Sequence, residues 1–137
     1  LCLVEGTPRI EGQLMSATIL VVDDDPDLRE FLTILLATEG YAVFSASDEE
    51  QALSLFKANE VDLVIVDLIM PKINGFTLLK EFKSERPSIK SVIFSGALSN
   101  NRLTAHKSRI AQMADELVEK PVKSEHFLSV VKKVLGG

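Results

Sequence analysis

The stretch ILVVDDDP at residues 19–26 decides the fold class, because an apolar run with strand character ends abruptly in three carboxylates. A second apolar run, VDLVIVD at residues 61–67, ends in the same way in one acid. Short runs of this kind, rich in Val and Ile, are typical of buried strands in parallel sheets. If the two strands are neighbours, the carboxylates of Asp23, Asp24 and Asp67 converge at one edge of the sheet. Three like charges that close repel one another unless a cation lies between them, so the arrangement predicts a divalent-metal site.

Strand-like and helix-like stretches alternate from Thr18 onward, which indicates a parallel sheet with helices on both faces. We count five such units in the sequence. The predicted strands run over about 18–23, 41–44, 61–67, 91–94 and 116–118. The sequence therefore predicts an α/β domain built on a doubly wound five-stranded parallel sheet.

Apolar spacing predicts which face of each helix lies against the sheet. The first helix begins near Pro26, ends at Gly40, and carries an inward stripe of Leu28, Phe31, Leu32, Leu35 and Leu36. The spacing of Ser47 and Glu50 predicts a capping box at the start of the second helix. The inward residues of the later helices are Ala52, Leu53 and Phe56, then Phe76, Leu79 and Phe82, and finally Phe127, Val130, Val131, Val134 and Leu135.

Residues 1–16 contain Gly6, Pro8 and Gly12 and show no sustained apolar period, so we predict a flexible tail. Met15 is a candidate natural start, which makes the residues before it a candidate expression remnant. Residues 17–137 then form one domain, because a chain of 137 residues is too short for two domains of ordinary size.

The composition argues against several classes of function. A net charge of −5 and a pI near 5.0 do not favour direct binding to nucleic acid or to an anionic membrane surface. The single cysteine, Cys2, lies in the tail, so no internal disulfide can form and a reducing compartment is expected. The apolar runs are far shorter than the roughly 20 residues that a membrane span needs. We therefore expect a cytoplasmic protein.

Polar residues also follow the last two predicted strands, Ser95 after the fourth and Lys120 after the fifth. In open parallel sheets ligands bind beyond the carboxyl ends of the strands, where these residues would join the acids. Carboxylates, a hydroxyl and an ammonium at one edge suit phosphoryl chemistry, in which acids hold Mg²⁺ and the other groups contact phosphoryl oxygens. Asp67, alone at the end of its strand, is the best candidate nucleophile.

Four motifs occur in order along the chain: Val22-Asp23-Asp24, Asp67-x-x-Met70-Pro71-x-x-x-Gly75, Ser95-Gly96 and Lys120-Pro121. With this combination the chain resembles the receiver domain of two-component response regulators over about residues 17–137. The resemblance implies a flavodoxin-like (βα)5 fold with strand order 2-1-3-4-5.

The same resemblance implies that Asp67 accepts phosphate from a sensor histidine kinase or a histidine phosphotransfer protein. It makes Asp24 the direct Mg²⁺ ligand beside Asp23, with the backbone carbonyl of Ile69 as another ligand. Ser95 and Lys120 would contact the phosphoryl group. The domain would then be a phosphorylation-dependent signalling switch, not an enzyme, catalysing only its own phosphorylation and slow dephosphorylation. An output domain or protein target and homodimerisation on phosphorylation are further expectations by family analogy.

The sequence departs from the family pattern in two places. Leu117 stands where the family usually has an aromatic residue, and the stretch before Lys120 is about three residues longer than usual, with sparse apolar residues over 99–113. These departures predict an atypical output surface. Ile69 and Ala97 flank the expected phosphoryl site with apolar side chains that cannot align a hydrolytic water, which predicts slow loss of phosphate.

Two other functions remain open at the level of the sequence. One is a constitutive interaction module of the same fold, in which the missing aromatic residue reflects lost signalling. The other is a true enzyme, such as an acid-dependent phosphatase or a nucleotide binder. Against it, the position two residues after Asp67 holds Ile69 and not a second acid, and the sequence has no Gly-rich phosphate loop. Asp25 before Pro26 is interpreted as a helix cap, and His106 and His126 as surface residues.

Overall fold

The computed structural model describes residues 17–67, 75–95, 114–119 and 123–136. The predicted tail at 1–16 and the atypical stretch at 99–113 lie outside the described residues. The elements that it describes are β1 (Thr18–Val22), α1 (Pro26–Thr38), β2 (Ala42–Ala46), α2 (Glu49–Ala58), β3 (Leu63–Asp67), α3 (Gly75–Glu85), β4 (Lys90–Ser95), β5 (Glu116–Glu119) and α4 (Ser124–Val134). Each predicted strand is present within one or two residues of its predicted bounds.

The five strands form one parallel sheet in the order β2-β1-β3-β4-β5. This confirms the predicted doubly wound five-stranded sheet with strand order 2-1-3-4-5. Val22 lies beside Val66 across β1 and β3, so the residues that follow these two strands emerge side by side at the carboxyl edge. Asp67 lies beside Phe94 of β4, which places the end of the fourth strand at the same edge.

Two hydrophobic clusters cover the two faces of the sheet. In β1 and β3, alternate residues point to opposite faces, with Leu20 and Val64 in one cluster and Ile19 and Ile65 in the other. The first cluster packs against α2 and α3 through Phe56 and Phe82, and the second against α1 and α4 through residues such as Leu36 and Phe127. The helices that the structure describes therefore cover the two faces of the sheet, and the residues that follow β1 and end β3 lie at its carboxyl edge. None of the helices in the described ranges is long and apolar enough to cross a membrane.

Helix α1 begins and ends as the sequence predicts. Asp25 is its N-cap and accepts hydrogen bonds from the backbone N–H groups of Asp27 and Leu28 at 3.0 and 3.4 Å. Gly40, with φ of 94°, follows its end and donates its N–H to the carbonyl of Ala37 at 3.0 Å. Glycine adopts this left-handed conformation without the steric cost of a Cβ atom, so the chain turns here into β2.

The inward stripe predicted for α1 was wrong at one residue. Leu32 and Leu36 are fully buried, whereas the Phe31 residue is 42% exposed. Since successive residues turn by about 100° around a helix, Phe31 lies about 100° from Leu32 and falls at the border of the buried face. Ile34, 59% exposed, lies farther round the same helix.

The cap of α2 lies one residue later than predicted. Asp48, not Ser47, is the N-cap, and its Oδ1 accepts the backbone N–H of Gln51 at 2.7 Å. The Gln51 side chain in return accepts the backbone N–H of Ser47 at 3.0 Å. Asp48 and Gln51 have the capping-box spacing that was assigned to Ser47 and Glu50, and a carboxylate is favoured over a hydroxyl by the positive end of the helix dipole.

Two aspartates join neighbouring strands at the amino edge of the sheet. Asp62 accepts the N–H of Thr18 through Oδ2 at 2.8 Å and donates its own N–H to the carbonyl of Thr18 at 2.8 Å. Asp115 forms the same two bonds with Ser91, at 2.8 and 3.0 Å. These paired bonds fix the register at the points where β3 begins beside β1 and β5 begins beside β4.

Candidate functional site

Three carboxylates converge at the carboxyl edge of the sheet, as the sequence predicts. Asp23 follows β1 and is 1% exposed, and Asp67 ends the central strand β3 and is 5% exposed. Asp24, the next residue of the turn, is less buried than either. One potential ligand oxygen from each of the three lies within 4.8 Å of the others. Parallel pairing of β1 with β3 is what brings residues more than forty positions apart into this cluster.

Backbone hydrogen bonds hold the acidic turn between β1 and α1. The N–H of Asp23 donates to the carbonyl of Ala46 at the end of β2, at 3.2 Å. The Asp23 carboxylate accepts the N–H of Asp25 through Oδ1 at 2.9 Å. Asp25 in turn caps α1, so the turn is anchored both to the sheet and to the helix that follows.

Arg29, which was not among the predicted site residues, also binds the acidic turn. Arg29, in the N-terminal part of α1, donates from Nη1 to the backbone carbonyl of Asp23 at 2.8 Å. A cation this near the positive end of a helix dipole is unfavourable unless it has a specific partner. That local conflict, an Arg three positions after Pro26, is the sequence signal that could have identified it.

The other predicted site residues are only partly within the described structure. Ser95 is the last residue of β4, and its backbone lies beside Glu119 of β5 at the same edge as the acids. Lys120, the residue after Glu119, and Ile69 with its backbone carbonyl lie outside the described residues. The structure therefore brings together Asp23, Asp24 and Asp67, and places the end of the Ser95 strand next to them.

Leu117 and the two histidines were not predicted to be site residues. Leu117, at the position where the family usually has an aromatic residue, is half-buried and packs against the first hydrophobic cluster. His126 is exposed on α4, as predicted, and His106 lies outside the described residues.

The acidic cluster fits a hard divalent cation. Carboxylate oxygens are the ligands that Mg²⁺ prefers, and this ion usually takes one or two of them and keeps several waters. Two of the three residues are buried, so their charges are less screened by water than surface charges and repel one another more strongly. Asp23, Asp24 and Asp67 are the residues that would hold the ion, and its charge would offset that repulsion.

Comparison with known proteins identifies the family. The profile of the response regulator receiver domain matches residues 19–132, which include the whole sheet from its second residue and the acidic cluster. The chain belongs to the response regulator receiver domain family. Its relatives place it in two-component systems, in which this domain is generally a signalling domain and not a true enzyme.

Curated relatives show the settings in which such a domain occurs. The chain is 36% identical over 119 residues to the probable transcriptional regulator ycf27 of Porphyridium aerugineum, covering 85% of this chain and 47% of that protein. It is 32% identical over 129 residues to the autoinducer 1 sensor kinase/phosphatase LuxN of Vibrio harveyi, covering 94% of this chain and 14% of that protein. The chain thus spans less than half the length of either relative.

One solved structure is similar to this chain over almost the whole length of the solved protein. Response regulator protein TrrA of Thermotoga maritima, solved in complex with Mg²⁺-BeF, superposes with a TM-score of 0.73 at 33% identity. The match covers 86% of this chain and 98% of TrrA.

Proposed function

We propose that this chain is a phosphorylation-dependent switch of a two-component system, in which Asp67 accepts a phosphoryl group from a histidine kinase or a histidine phosphotransfer protein. The observation that carries the proposal is the position of Asp67. It ends the central strand, is 5% exposed, and has potential ligand oxygens of Asp23 and Asp24 within 4.8 Å. The match to TrrA supports it, because that receiver was solved with Mg²⁺-BeF.

The proposed chemistry at Asp67 is a single displacement at phosphorus. One carboxylate oxygen of Asp67 attacks the phosphorus of a phosphohistidine, and a P–O bond forms as the P–N bond breaks. The electron pair of the broken bond leaves with the imidazole nitrogen of the donor. Asp67 is paired with β4 as the last residue of β3 and is 5% exposed, so the backbone of the nucleophile is positioned before the donor arrives.

The other acids at the edge contribute charge and position. Bound Mg²⁺ would supply positive charge that offsets both the carboxylates and the phosphoryl oxygens. Asp24 lies nearest to solvent among the three acids, which suits it to share an ion that keeps several waters. Ser95 and Lys120 complete the proposed site as contacts for the phosphoryl oxygens, with the Ile69 carbonyl as a further Mg²⁺ ligand.

Phosphorylation would change the charge and the loop positions at the carboxyl edge and so bias a surface between two states. The receiver of this chain would pass that change to an output domain or a separate protein target. Homodimerisation on phosphorylation and a cytoplasmic location, where a kinase with access to ATP acts, are parts of the same proposal. Phosphate loss is expected to be slow because Ile69 and Ala97 cannot align a hydrolytic water.

The test is the intact mass of the protein after incubation with Mg²⁺ and acetyl phosphate. We expect a gain of one phosphoryl group that disappears in EDTA and in the Asp67→Asn variant. Asp48→Asn is the matched control, since Asp48 lies at the same edge of the sheet, caps α2, and can be replaced by another good N-cap. A phosphoryl gain that persists in Asp67→Asn would contradict the proposal. So would no gain in a folded protein with either acetyl phosphate or a set of phosphorylated histidine phosphotransfer proteins.

A further inference from the structure

Arg29 places a positive charge against the acidic turn without binding a carboxylate. Its Nη1 donates at 2.8 Å to the backbone carbonyl of Asp23, in a partly buried position. Because this bond goes to the backbone carbonyl, the guanidinium itself does not bind a carboxylate oxygen of Asp23 or Asp24. The guanidinium therefore lies beside the proposed Mg²⁺ site and does not occupy it.

The charge of Arg29 lies close enough to act on the acids. By covalent geometry, a group bonded to the carbonyl of an aspartate lies within about 8 Å of the carboxylate of that residue. The Debye length at physiological ionic strength is also about 8 Å, so salt weakens this interaction without removing it. The guanidinium consequently offsets part of the negative charge of the Asp23 carboxylate when no cation is bound.

The geometry of the turn does not depend on Arg29 alone. Asp23 is held by its N–H bond to Ala46 at 3.2 Å and by the bond from Asp25 N–H to its carboxylate at 2.9 Å. Asp25 is fixed in addition as the N-cap of α1. Because these bonds position the turn at Asp23 and Asp25, we expect the main effect of removing Arg29 to be the loss of its charge.

We infer that Arg29 tunes the affinity of the acidic site for Mg²⁺: its guanidinium stabilises the metal-free turn and thereby weakens binding of the ion. The inference rests on the Mg²⁺ site of the proposed function. Arg29 and Mg²⁺ offset the same negative charge, and a guanidinium repels a divalent cation, so the two are thermodynamic alternatives. Such a residue keeps the site folded when the ion leaves and keeps the ion exchangeable.

The test is a titration of the full chain with MgCl₂ at constant ionic strength, followed by backbone amide shifts in ¹H–¹⁵N NMR spectra. We expect Arg29→Met to bind Mg²⁺ about fivefold more tightly than the unchanged protein. Arg29→Lys, which keeps the charge, should bind within about twofold of the unchanged protein. In EDTA, Arg29→Met should unfold at a temperature lower by about 3 °C, and saturating Mg²⁺ should reduce that difference.

Arg86→Met is the matched control. Arg86 also donates its guanidinium to backbone carbonyls, those of Val61 and Asn59, but at the amino edge of the sheet. Its loss should lower stability and leave the Mg²⁺ affinity unchanged. Equal or weaker Mg²⁺ binding by Arg29→Met, or tighter binding by Arg29→Lys to the same degree as Arg29→Met, would overturn the inference. Absence of Mg²⁺ binding in the unchanged protein would instead show that the metal site of the proposed function is wrong, and the inference would fall with it.

Discussion

Asp62 and Asp67 stand at the two ends of one short stretch of chain, and the sheet gives them opposite surroundings. At the amino edge, Asp62 accepts the N–H of Thr18 at 2.8 Å, and Asp115 repeats that arrangement with Ser91. At the carboxyl edge, Asp67 meets the carboxylates of Asp23 and Asp24 within 4.8 Å. The same residue type thus joins strands at one edge and gathers negative charge at the other.

The difference between the two edges follows from the direction of parallel strands. At the amino edge, a carboxylate placed before a strand lies beside the backbone N–H of the neighbouring strand, which is a donor that it can satisfy. At the carboxyl edge, turns such as that from β1 to α1 place further acids next to the last residue of β3. A carboxylate that accepts a backbone N–H stabilises the fold, whereas neighbouring carboxylates repel one another and favour binding of a cation. Substitutions at the two edges should therefore differ in kind.

The largest expected effect is the loss of Mg²⁺ binding in Asp24→Asn. An amide carries no charge to attract the ion, so we expect its affinity to fall on the order of a hundredfold, equivalent to about 3 kcal/mol. Thermal unfolding at increasing MgCl₂ measures it, since an ion that binds only the folded protein raises the midpoint. Asp115→Asn, at the opposite edge, is the control and should keep the full Mg²⁺-dependent rise. An equal rise in Asp24→Asn would show that Asp24 does not hold the ion.

The second effect is a loss of stability at the amino edge. Asp62→Ala leaves the partly buried N–H of Thr18 without its carboxylate acceptor, which we expect to cost about 2 kcal/mol in the free energy of unfolding. Urea denaturation followed by circular dichroism measures the change.

Asp62→Asn provides the comparison for that loss, because its amide oxygen can still accept the Thr18 N–H. It should recover at least half of the lost stability. Both variants should keep the Mg²⁺-dependent rise in midpoint, since Asp62 lies at the edge away from the acidic cluster. A loss below about 0.5 kcal/mol in Asp62→Ala would mean that water replaces the carboxylate and that the bond does not pin the register.

The edges also differ in how far they could be predicted from the sequence. The carboxyl edge was predicted from two strand ends, because an acid that follows a short Val- and Ile-rich run is expected at the end of a buried strand. The order of the strands came from the resemblance to a family and not from the residues. The roles of Asp62 and Asp115 were not predicted, since an acid before a strand looks the same in sequence whether it meets a backbone N–H or water.

Local physical detail accounts for the remaining errors. Phe31 was assigned to the buried stripe of α1 by spacing alone, although it lies at the border of that stripe and is 42% exposed. The cap of α2 was assigned to Ser47 because Ser47 and Glu50 have capping-box spacing. Asp48 and Gln51, one residue later, have the same spacing, and spacing alone does not choose between the two pairs. The bond from Arg29 to the Asp23 carbonyl depends on a side-chain rotamer and on the path of one turn, neither of which a periodic pattern determines.

The smallest expected effect is a gain in stability, opposite in sign to the loss expected for Asp62→Ala at the amino edge. Without Mg²⁺, Asp24→Asn removes one of three like charges, so we expect the folded protein to gain about 0.5 kcal/mol of stability. The gain is small because Asp24 is partly open to solvent, which screens its repulsion with Asp23 and Asp67. Urea denaturation in EDTA, at matched ionic strength, measures it.

The sign of the change in stability in EDTA distinguishes a substitution at the carboxyl edge from one at the amino edge. In EDTA, Asp24→Asn should be more stable than the unchanged protein and Asp115→Asn less stable. In saturating Mg²⁺ the unchanged protein should become more stable than Asp24→Asn, because only the unchanged protein gains the binding energy of the ion. Raising the KCl concentration in EDTA should shrink the advantage of Asp24→Asn, since salt screens the repulsion that the substitution relieves. If Asp24→Asn lowers stability in EDTA at low salt, its carboxylate is bonded as those at the amino edge are, and the acidic cluster is not under electrostatic repulsion.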